Sequence, residues 1–263
     1  MNLGLRDKVA LIGGSSRGLG YACAHRLAAE GTRVVLCSRD ETGISRAAER
    51  IRDEIGGQVH AVAADQSTPA GVERMLREAR ERFGPIDILV NNTGGPPPGL
   101  FSDHDDVVWQ AAFEGLILSV VRLCRGVLPE MSTRGWGRII TNTSFTVREP
   151  AEQLVLSNAL RAAVVALSKT LSREVAASGI TVNCVAPGAF DTERLEHLFD
   201  AQALAQGITP AEIRQQWVDR IPAARILEPK ELAAAVVFLA SEQAAAITGV
   251  CLPVDGGMLH GLF

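Results

Sequence analysis

The stretch Lys-Val-Ala-Leu-Ile-Gly-Gly-Ser-Ser-Arg-Gly-Leu-Gly, residues 8–20, decides how the chain folds. It opens with an apolar run that is typical of a parallel strand covered on both faces. Gly14, Gly18 and Gly20 follow with the spacing G-x-x-x-G-x-G, which permits a tight turn and a close approach of the backbone to a bound group. The helix predicted next would direct free N–H groups at a pyrophosphate. The stretch therefore predicts a strand–turn–helix unit that binds a dinucleotide.

The same alternation of short strands and longer helices continues along the chain. Helical periodicity is found at residues 22–30, 41–55 and 70–83, over a long stretch from 103 to 131 with Ser102 as its cap, and from the 150s to 178. This pattern predicts a single α/β domain over residues 1–263, a Rossmann-type doubly wound parallel sheet of about seven strands with helices on both faces. Strands are predicted at residues 8–12, 33–37, 58–63, 86–90, 138–143, 180–185 and 250–254.

The composition narrows the classes of function. The chain has 263 residues, of which 47% are hydrophobic and 21% charged, and its formal net charge is -4. No run rich in lysine and arginine occurs, so we expect neither a nucleic-acid surface nor an anionic-membrane surface. No uninterrupted apolar run reaches the roughly 18 residues that span a bilayer. Five scattered cysteines without a C-x-x-C pair favour reduced thiols in a cytoplasmic protein and no metal site.

The end of the second predicted strand bears on the choice of dinucleotide. An acidic residue about 20 positions after the glycines would hold a ribose 2′-hydroxyl and favour NAD. That place is taken by Ser38 and Arg39, and Arg17 lies inside the glycine turn. Two guanidinium groups can clamp a 2′-phosphate through charge-assisted hydrogen bonds, so we predict NADP(H) as the cofactor. Asp40 comes next, where it suits a helix N-cap better than a ribose contact.

These motifs resemble the short-chain dehydrogenase/reductase family, nearest its 3-oxoacyl-carrier-protein reductase branch, over nearly the whole chain. Besides the glycine turn, the resemblance rests on Asp65, on Asn91-Asn92-Thr93-Gly94, on Pro187-Gly188 with Thr192, and on the C-terminal Val254-Asp255-Gly256-Gly257. It implies that Asp65 contacts the adenine and that Thr192 lies on the nicotinamide side. The cofactor-binding residues predicted in this way are Gly14, Ser16, Arg17, Gly18, Leu19, Gly20, Ser38, Arg39, Asp65, Gln66, Asn91, Thr93, Gly94, Pro187, Gly188 and Thr192.

The catalytic positions depart from the family pattern. In the family a Tyr transfers the proton, a Lys one helical turn later holds the nicotinamide ribose, an earlier Ser binds the substrate oxygen, and an Asn supports a water relay. Residues 137–144 match the strand that bears the serine, which assigns that role to Ser144. The register then puts Ser157 at the Tyr position, Arg161 at the Lys position and Leu116 at the Asn position. Three of the four side chains are therefore replaced.

Ser144, Ser157 and Arg161 are the candidate catalytic residues, and their chemistry differs from the family's. A serine hydroxyl is a far poorer acid than a phenol, and an arginine does not deprotonate at neutral pH. The only tyrosine of the chain, Tyr21, follows the glycine turn and can hardly reach the nicotinamide. His104 and His197 border the expected cleft, but a solvated surface role is the simpler interpretation for both.

The resemblance also implies a lid at residues 189–221 and a homotetramer built through the two long helices and residues 255–263. Apolar residues in the lid would suit an apolar carbonyl or alcohol substrate, and packing of the lid on the body explains the same residues equally well.

Three functions remain open. The leading hypothesis is an NADP-dependent oxidoreductase that interconverts a carbonyl and a secondary alcohol through an altered site. The second is a non-catalytic NADP-binding sensor or partner subunit of an active relative. A lyase or dehalogenase on the same fold is third, since an arginine replaces the lysine, but such enzymes lose the dinucleotide motif that this chain keeps.

Overall fold

One sheet of parallel strands forms the centre of the molecule. The computed structural model describes residues 2–262. Its strands, close to their predicted positions, are β1 (Val9–Ile12), β2 (Arg33–Ser38), β3 (Val59–Ala63), β4 (Ile88–Asn91), β5 (Gly137–Asn142), β6 (Ile180–Pro187) and β7 (Cys251–Val254). They form a seven-stranded sheet in the order β3-β2-β1-β4-β5-β6-β7, and every pairing is parallel. The predicted doubly wound α/β fold is confirmed.

Helices cover both faces of this sheet. In chain order they are α1 (Gly18–Ala29), α2 (Glu41–Ile55), α3 (Pro69–Phe83), α4 (Asp106–Phe113), α5 (Ser119–Arg134), α6 (Val155–Val175), α7 (Glu193–Gln206), α8 (Pro210–Arg220) and α9 (Pro229–Ala240). On one face α1, α2 and α9 bury Leu27, Ile51 and Val236. On the other face α3, α5 and α6 bury residues such as Met75 and Val127. The two apolar layers hold the sheet between them.

The strand order reverses between β1 and β4, which lie side by side at the centre. In open α/β sheets such a reversal leaves a crevice at the carboxyl ends of the strands, where ligands bind. The glycine turn follows β1, Asn91 ends β4, Ser144 comes soon after β5, and Pro187 ends β6. The fold therefore brings the candidate site residues of these segments to one edge.

The long predicted helix exists, but it begins at Asp106 rather than at 103. It runs to Arg134 as α4, a π-helical turn (Glu114–Leu118) and α5. Its cap is Asp105, whose side chain accepts a hydrogen bond from the Val108 N–H at 3.0 Å. The prediction of Ser102 as the cap was wrong, because Ser102 lies in a separate 3-10 turn (Phe101–Asp103).

Length and hydropathy alone would let the helix Asp106–Arg134 cross a membrane, and it is the one such helix among residues 2–262. A count of uninterrupted apolar runs overlooked it because charged residues are dispersed along it. Val120, Leu123 and Val127 on this helix are buried in the core, which accounts for part of its hydropathy.

The predicted lid consists mainly of α7 and α8, which pack on each other through their own apolar cluster. Phe199, Ile213 and Trp217 are buried there, and Trp217 meets the ring of Phe145 edge to face, with 6.1 Å between centroids. Of the two explanations for the apolar lid residues, packing therefore accounts for these three. Leu204 is an exception, since it is exposed.

Candidate active site

The glycine turn is held in place from two neighbouring strands. Asn92, after β4, donates from Nδ2 to the carbonyls of Gly13 and Gly14 at 3.1 and 3.0 Å. Ser15 donates to the Ile12 carbonyl at 2.9 Å and accepts from the Cys37 N–H at 2.9 Å. The turn is thus fixed before any ligand arrives, which lowers the entropy lost on binding.

Two glycines of the turn are required by its geometry. Gly18 has φ +59°, a left-handed conformation that disfavours other residues, and opens α1. At Gly20 an added Cβ would collide with the Gly14 carbonyl oxygen and lie 2.6 Å from Nδ2 of Asn92. The turn thus leaves no room for a side chain at Gly20, as a close backbone approach requires.

The residues predicted to face a 2′-phosphate lie at the mouth of the crevice. Arg39 is exposed after β2, and Ser38 donates to the Asp40 carbonyl at 3.1 Å. Asp40 occupies the N-cap position of α2 but its side chain forms no capping hydrogen bond. Arg17 forms an ion pair with Glu193 of the lid. Sequence reasoning missed this pair because the two residues are far apart in the chain.

The predicted adenine-side residues are held by short local bonds. Asp65 accepts from the N–H and the hydroxyl of Ser67 at 2.9 and 2.7 Å. Gln66 donates to the Asn92 carbonyl at 2.9 Å. Asn91 is buried and donates to the Thr141 hydroxyl at 3.1 Å, so its side chain faces the interior rather than an open groove.

On the far side of the crevice, the Pro187-Gly188 turn leads into the lid. Gly188 donates its N–H to the Val254 carbonyl at 3.0 Å. Thr192 caps α7, accepting from the Leu195 N–H at 3.4 Å, and its methyl group lies within 3.6 Å of a Cβ built on Gly18. The start of the lid therefore lies directly against the glycine turn.

Two of the candidate catalytic residues meet the same neighbour. Ser144 accepts from the Thr146 N–H at 3.2 Å, and the hydroxyls of Ser157 and Thr146 are 3.4 Å apart. Ser157 is only 7% exposed. The structure thus brings Ser144 and Ser157 together around Thr146, a residue that sequence reasoning did not single out.

Arg161 lies one turn along α6 from Ser157 and is 9% exposed. Its Nη1 donates to the Asn142 carbonyl at 3.0 Å, at the end of β5. Burial, together with the charge of Arg194, lowers the pKa of Arg161 to about 10. The guanidinium remains protonated at neutral pH and places a positive charge in the site.

Leu116, which the register predicts at the position of the family's asparagine, lies within the π-helical turn. It is buried and lines a cavity of about 10 Å³ together with Asn91, Thr93 and Arg161, which is room for roughly one water. The Oδ1 atoms of Asn91 and Asn142 are buried without a partner in the part of the chain that the structure describes.

The titratable side chains near the expected cleft in sequence, His104, His197 and Glu149, and the only tyrosine, Tyr21, each contact groups outside the Ser144 and Ser157 cluster. His197 is exposed and lies 3.9 Å from Glu193, and Glu149 accepts from the His260 N–H at 2.7 Å. His104 was expected to be solvated. Instead it is partly buried, with its ring close to Gly99. Tyr21 lies in α1 with its ring 5.3 Å from the Arg50 guanidinium.

Comparisons with known proteins agree with this fold. The family model described as Enoyl-(Acyl carrier protein) reductase matches residues 14–259. The chain is 37% identical to 3-oxoacyl-(acyl-carrier-protein) reductase FabG of Escherichia coli strain K12 over 256 residues, 97% of this chain and 99% of the relative.

Solved structures extend the likeness to the whole fold. L-sorbose reductase of Gluconobacter frateurii, complexed with NADPH and L-sorbose, has a TM-score of 0.94 and 38% identity over 100% of both chains. A variant of actinorhodin polyketide ketoreductase with NADPH has a TM-score of 0.93 and 32% identity over 97% and 98% of the two chains. The chain belongs to the short-chain dehydrogenase/reductase family.

Proposed function

We propose that this chain is an NADP-dependent oxidoreductase that interconverts a carbonyl and a secondary alcohol through a site without the usual Tyr and Lys. The observation that carries the proposal is the grouping of Ser144 and Ser157 around Thr146, with Arg161 one turn away. This group lies at the same sheet edge as the preorganised glycine turn. The relatives with reductase names and NADPH complexes support the same reaction class.

The residues present fit NADP(H). The cradle at Gly20, which a Cβ would fill, suits a pyrophosphate, and Arg39 and Arg17 suit a 2′-phosphate. The other residues predicted to bind the cofactor are Gly14, Ser16, Gly18, Leu19, Ser38, Asp65, Gln66, Asn91, Thr93, Gly94, Pro187, Gly188 and Thr192. When bound, NADPH supplies the hydride for the carbonyl carbon.

The chain's own side chains bind and polarise the substrate. Ser144 donates a hydrogen bond to the substrate oxygen, and Ser157 or a water beside it passes on the proton. Arg161 binds the ribose hydroxyls and stabilises negative charge that develops on the oxygen. Losing a general acid removes roughly 10²–10⁴-fold in rate, so we expect slow turnover.

A scan of NADPH consumption across ketones and oxoacyl thioesters tests the activity. Ser144→Ala should lower kcat/KM by about a hundredfold, because a preorganised donor to the developing oxyanion is lost. Ser102→Ala, at an exposed serine, is the matched control and should leave the rate unchanged. Tight NADPH binding with no turnover of any carbonyl would contradict the proposal.

Cofactor choice has its own test. Arg39→Ala should weaken NADPH binding by about tenfold, since a charge-assisted hydrogen bond is lost, while NADH binding stays the same. Arg46→Ala, an exposed arginine on α2, should change neither affinity. NADH binding as tight as NADPH binding in the parent would show the assignment to be wrong.

The alternative is a non-catalytic NADP-binding sensor or partner subunit, and the burial of Ser157 favours it. A serine residue that is only 7% exposed offers little surface to a substrate. In that case the double substitution Ser157→Tyr with Arg161→Lys should create reductase activity that the parent lacks. A parent that is already the faster enzyme excludes the alternative.

The assembly is expected to be a homotetramer in the cytoplasm. Phe101, Val107 and Phe113 are exposed at and before the long helix, as is Leu252 of β7, and such apolar surface suits subunit contacts. Light scattering that shows a monomer would contradict the tetramer. An apolar body for the substrate is proposed on Phe145, half-buried beside Ser144, since the buried lid cluster offers less free surface than the sequence suggested.

A further inference from the structure

A second cavity lies at the opposite end of the sheet from the crevice. It has a volume of about 410 Å³ and borders the first residues of β5 and β6, with Trp136, Arg138 and Thr181 in its lining. The crevice lies at the carboxyl ends of the strands, and the six residues of β5 span about 20 Å. The cavity is therefore separate from the proposed active site, and its size is within the range of small-molecule sites.

Two buried polar side chains of this lining have unused hydrogen-bonding capacity. Thr181 is 5% exposed, and its hydroxyl has no partner among residues 2–262. Rotation about its χ1 angle exchanges the hydroxyl and the methyl group, so the oxygen can serve a ligand in the cavity. Arg138 is 3% exposed and donates from Nε and Nη1 to backbone carbonyls, which leaves its Nη2 without a bond in the described part of the chain. Buried polar groups of this kind favour a ligand that satisfies them.

The cavity also carries charges of both signs. Arg138 and the exposed Glu242 both line it. Neither forms an ion pair within residues 2–262, in contrast to Arg225 and Glu231. Burial lowers the pKa of Arg138, and the carboxylate of Glu242 opposes this shift, so the two charges are close enough to interact. A ligand with one charge of each sign would complement both.

Apolar groups form much of the remaining lining, among them Trp136, Ile180 and Ala245. Two cations hold the indole ring of Trp136 in place: Lys8 Nζ lies 3.9 Å and Arg138 Cζ lies 4.4 Å from its centroid. An aromatic wall that is fixed before binding lowers the entropy lost when a ligand arrives. The cavity thus combines an apolar wall with a buried donor cation and an acceptor carboxylate.

We propose that this cavity binds a small apolar α-amino acid in its zwitterionic form. Nη2 of Arg138 and the Thr181 hydroxyl bind the carboxylate, Glu242 binds the ammonium group, and the apolar side chain packs on Trp136. An amine without a carboxylate leaves Arg138 unpaired, and an acid without an ammonium group leaves Glu242 unpaired, so each loses a charge-assisted hydrogen bond. The inference is independent of the proposed function, because these residues lie outside the crevice.

Isothermal titration calorimetry of the full chain with L-leucine, L-leucinamide and isocaproate at neutral pH tests the proposal. We expect L-leucine to bind at least about tenfold more tightly than L-leucinamide, which has no carboxylate for the buried Arg138. The preference over isocaproate, which has no ammonium group, should be about threefold, because Glu242 is exposed. Thr181→Val keeps the shape of the side chain and should weaken L-leucine binding about fivefold. Glu242→Gln should abolish the preference over isocaproate.

Thr170→Val and Glu73→Gln, at exposed positions of α6 and α3, are the matched controls and should bind L-leucine as the parent does. Equal binding of the three compounds, or no binding of L-leucine, overturns the inference. L-leucine binding that is unchanged in both Thr181→Val and Glu242→Gln also overturns it, because the ligand then lies elsewhere. Competition between L-leucine and NADPH would place the amino acid in the crevice and overturn it as well, whereas equal L-leucine affinity with and without NADPH supports the separate site.

Discussion

The cofactor end and the catalytic end of the crevice are built in different ways. At the cofactor end the backbone forms the site, and Asn92 and Ser15 hold it through hydrogen bonds of 2.9 to 3.1 Å. At the catalytic end the site consists of side chains, and the contact between Ser157 and Thr146 is 3.4 Å long. The cofactor end therefore depends on the shape of the backbone, and the catalytic end depends on the identity of its side chains.

The two ends also tolerate substitution differently. A side chain at Gly20 would collide with backbone, so the glycine turn has few alternatives. Ser157 and Leu116 are both buried, Ser157 in the regular helix α6 and Leu116 in the π-helical turn of the long helix. At Gly20 the constraint is steric and comes from the backbone, whereas these two positions already hold side chains.

The largest expected effect is at the cofactor end. Gly20→Ala forces the turn to shift, and such overpacking costs about 1–3 kcal/mol, so NADPH affinity should fall by about tenfold to a hundredfold. Fluorescence titration with NADPH measures the change, and far-UV circular dichroism verifies the fold. Gly115→Ala, which has open space around it, should bind normally. An unchanged NADPH affinity of Gly20→Ala would show that the cofactor end tolerates a side chain at this position, contrary to the difference drawn between the two ends.

A smaller effect, a gain in stability, is expected when Arg161 is replaced. Arg161→Met should raise the free energy of unfolding of the cofactor-free protein by about 1–2 kcal/mol, because a buried, uncompensated cation is removed. Urea unfolding measures it. Arg138→Met should instead destabilise, since Arg138 bonds to the carbonyls of Gly137, Gly179 and Ser241. A destabilised Arg161→Met would show that the charge is compensated in the fold.

The stability gained by Arg161→Met depends on pH through the pKa of Arg161, which is lowered to about 10. Below that pH Arg161 is protonated in both the folded and the unfolded chain, so the free-energy cost of burying its charge does not change with pH. Above it the folded chain loses the proton first, the unfolded chain binds more protons, and stability rises with pH. The gain from Arg161→Met should therefore be equal at pH 6 and pH 9 and shrink only above about pH 10.

The smallest effect on stability is expected when the only tyrosine, Tyr21, is replaced. The Tyr21 hydroxyl is buried without a partner among the described residues, and burial raises its pKa. Tyr21→Phe should change stability by less than about 0.5 kcal/mol or raise it slightly, with kcat unchanged. Thermal unfolding and steady-state kinetics measure both. A large loss of kcat would place a phenol in the mechanism after all.

Much of the fold could be predicted because the signals are local. Each strand is a short apolar run between a turn and a helix. The spacing of Gly14, Gly18 and Gly20 predicts the turn that borders the crevice. The register from Ser144 to Ser157 and Arg161 could also be counted along the chain, and the structure groups Ser144 and Ser157 around Thr146.

What could not be predicted depends on contacts between distant segments. Arg194 meets the loop after β4, and Arg17 pairs with Glu193, across separations that no periodicity reveals. The apolar residues of the lid could not be assigned to packing or to substrate until α7 and α8 were seen to bury them in each other. The cap of the long helix was misplaced because Ser102 and Asp105 are both good capping residues.

The π-helical turn at Glu114–Leu118 has a consequence for how the site could be redesigned. Such turns are common at functional positions, and this one presents Leu116 to a cavity large enough for one water. On the predicted register the family's Asn would stand at this position. Leu116→Asn, together with Ser157→Tyr and Arg161→Lys, would therefore give the chain the family's side chains without an insertion or a deletion.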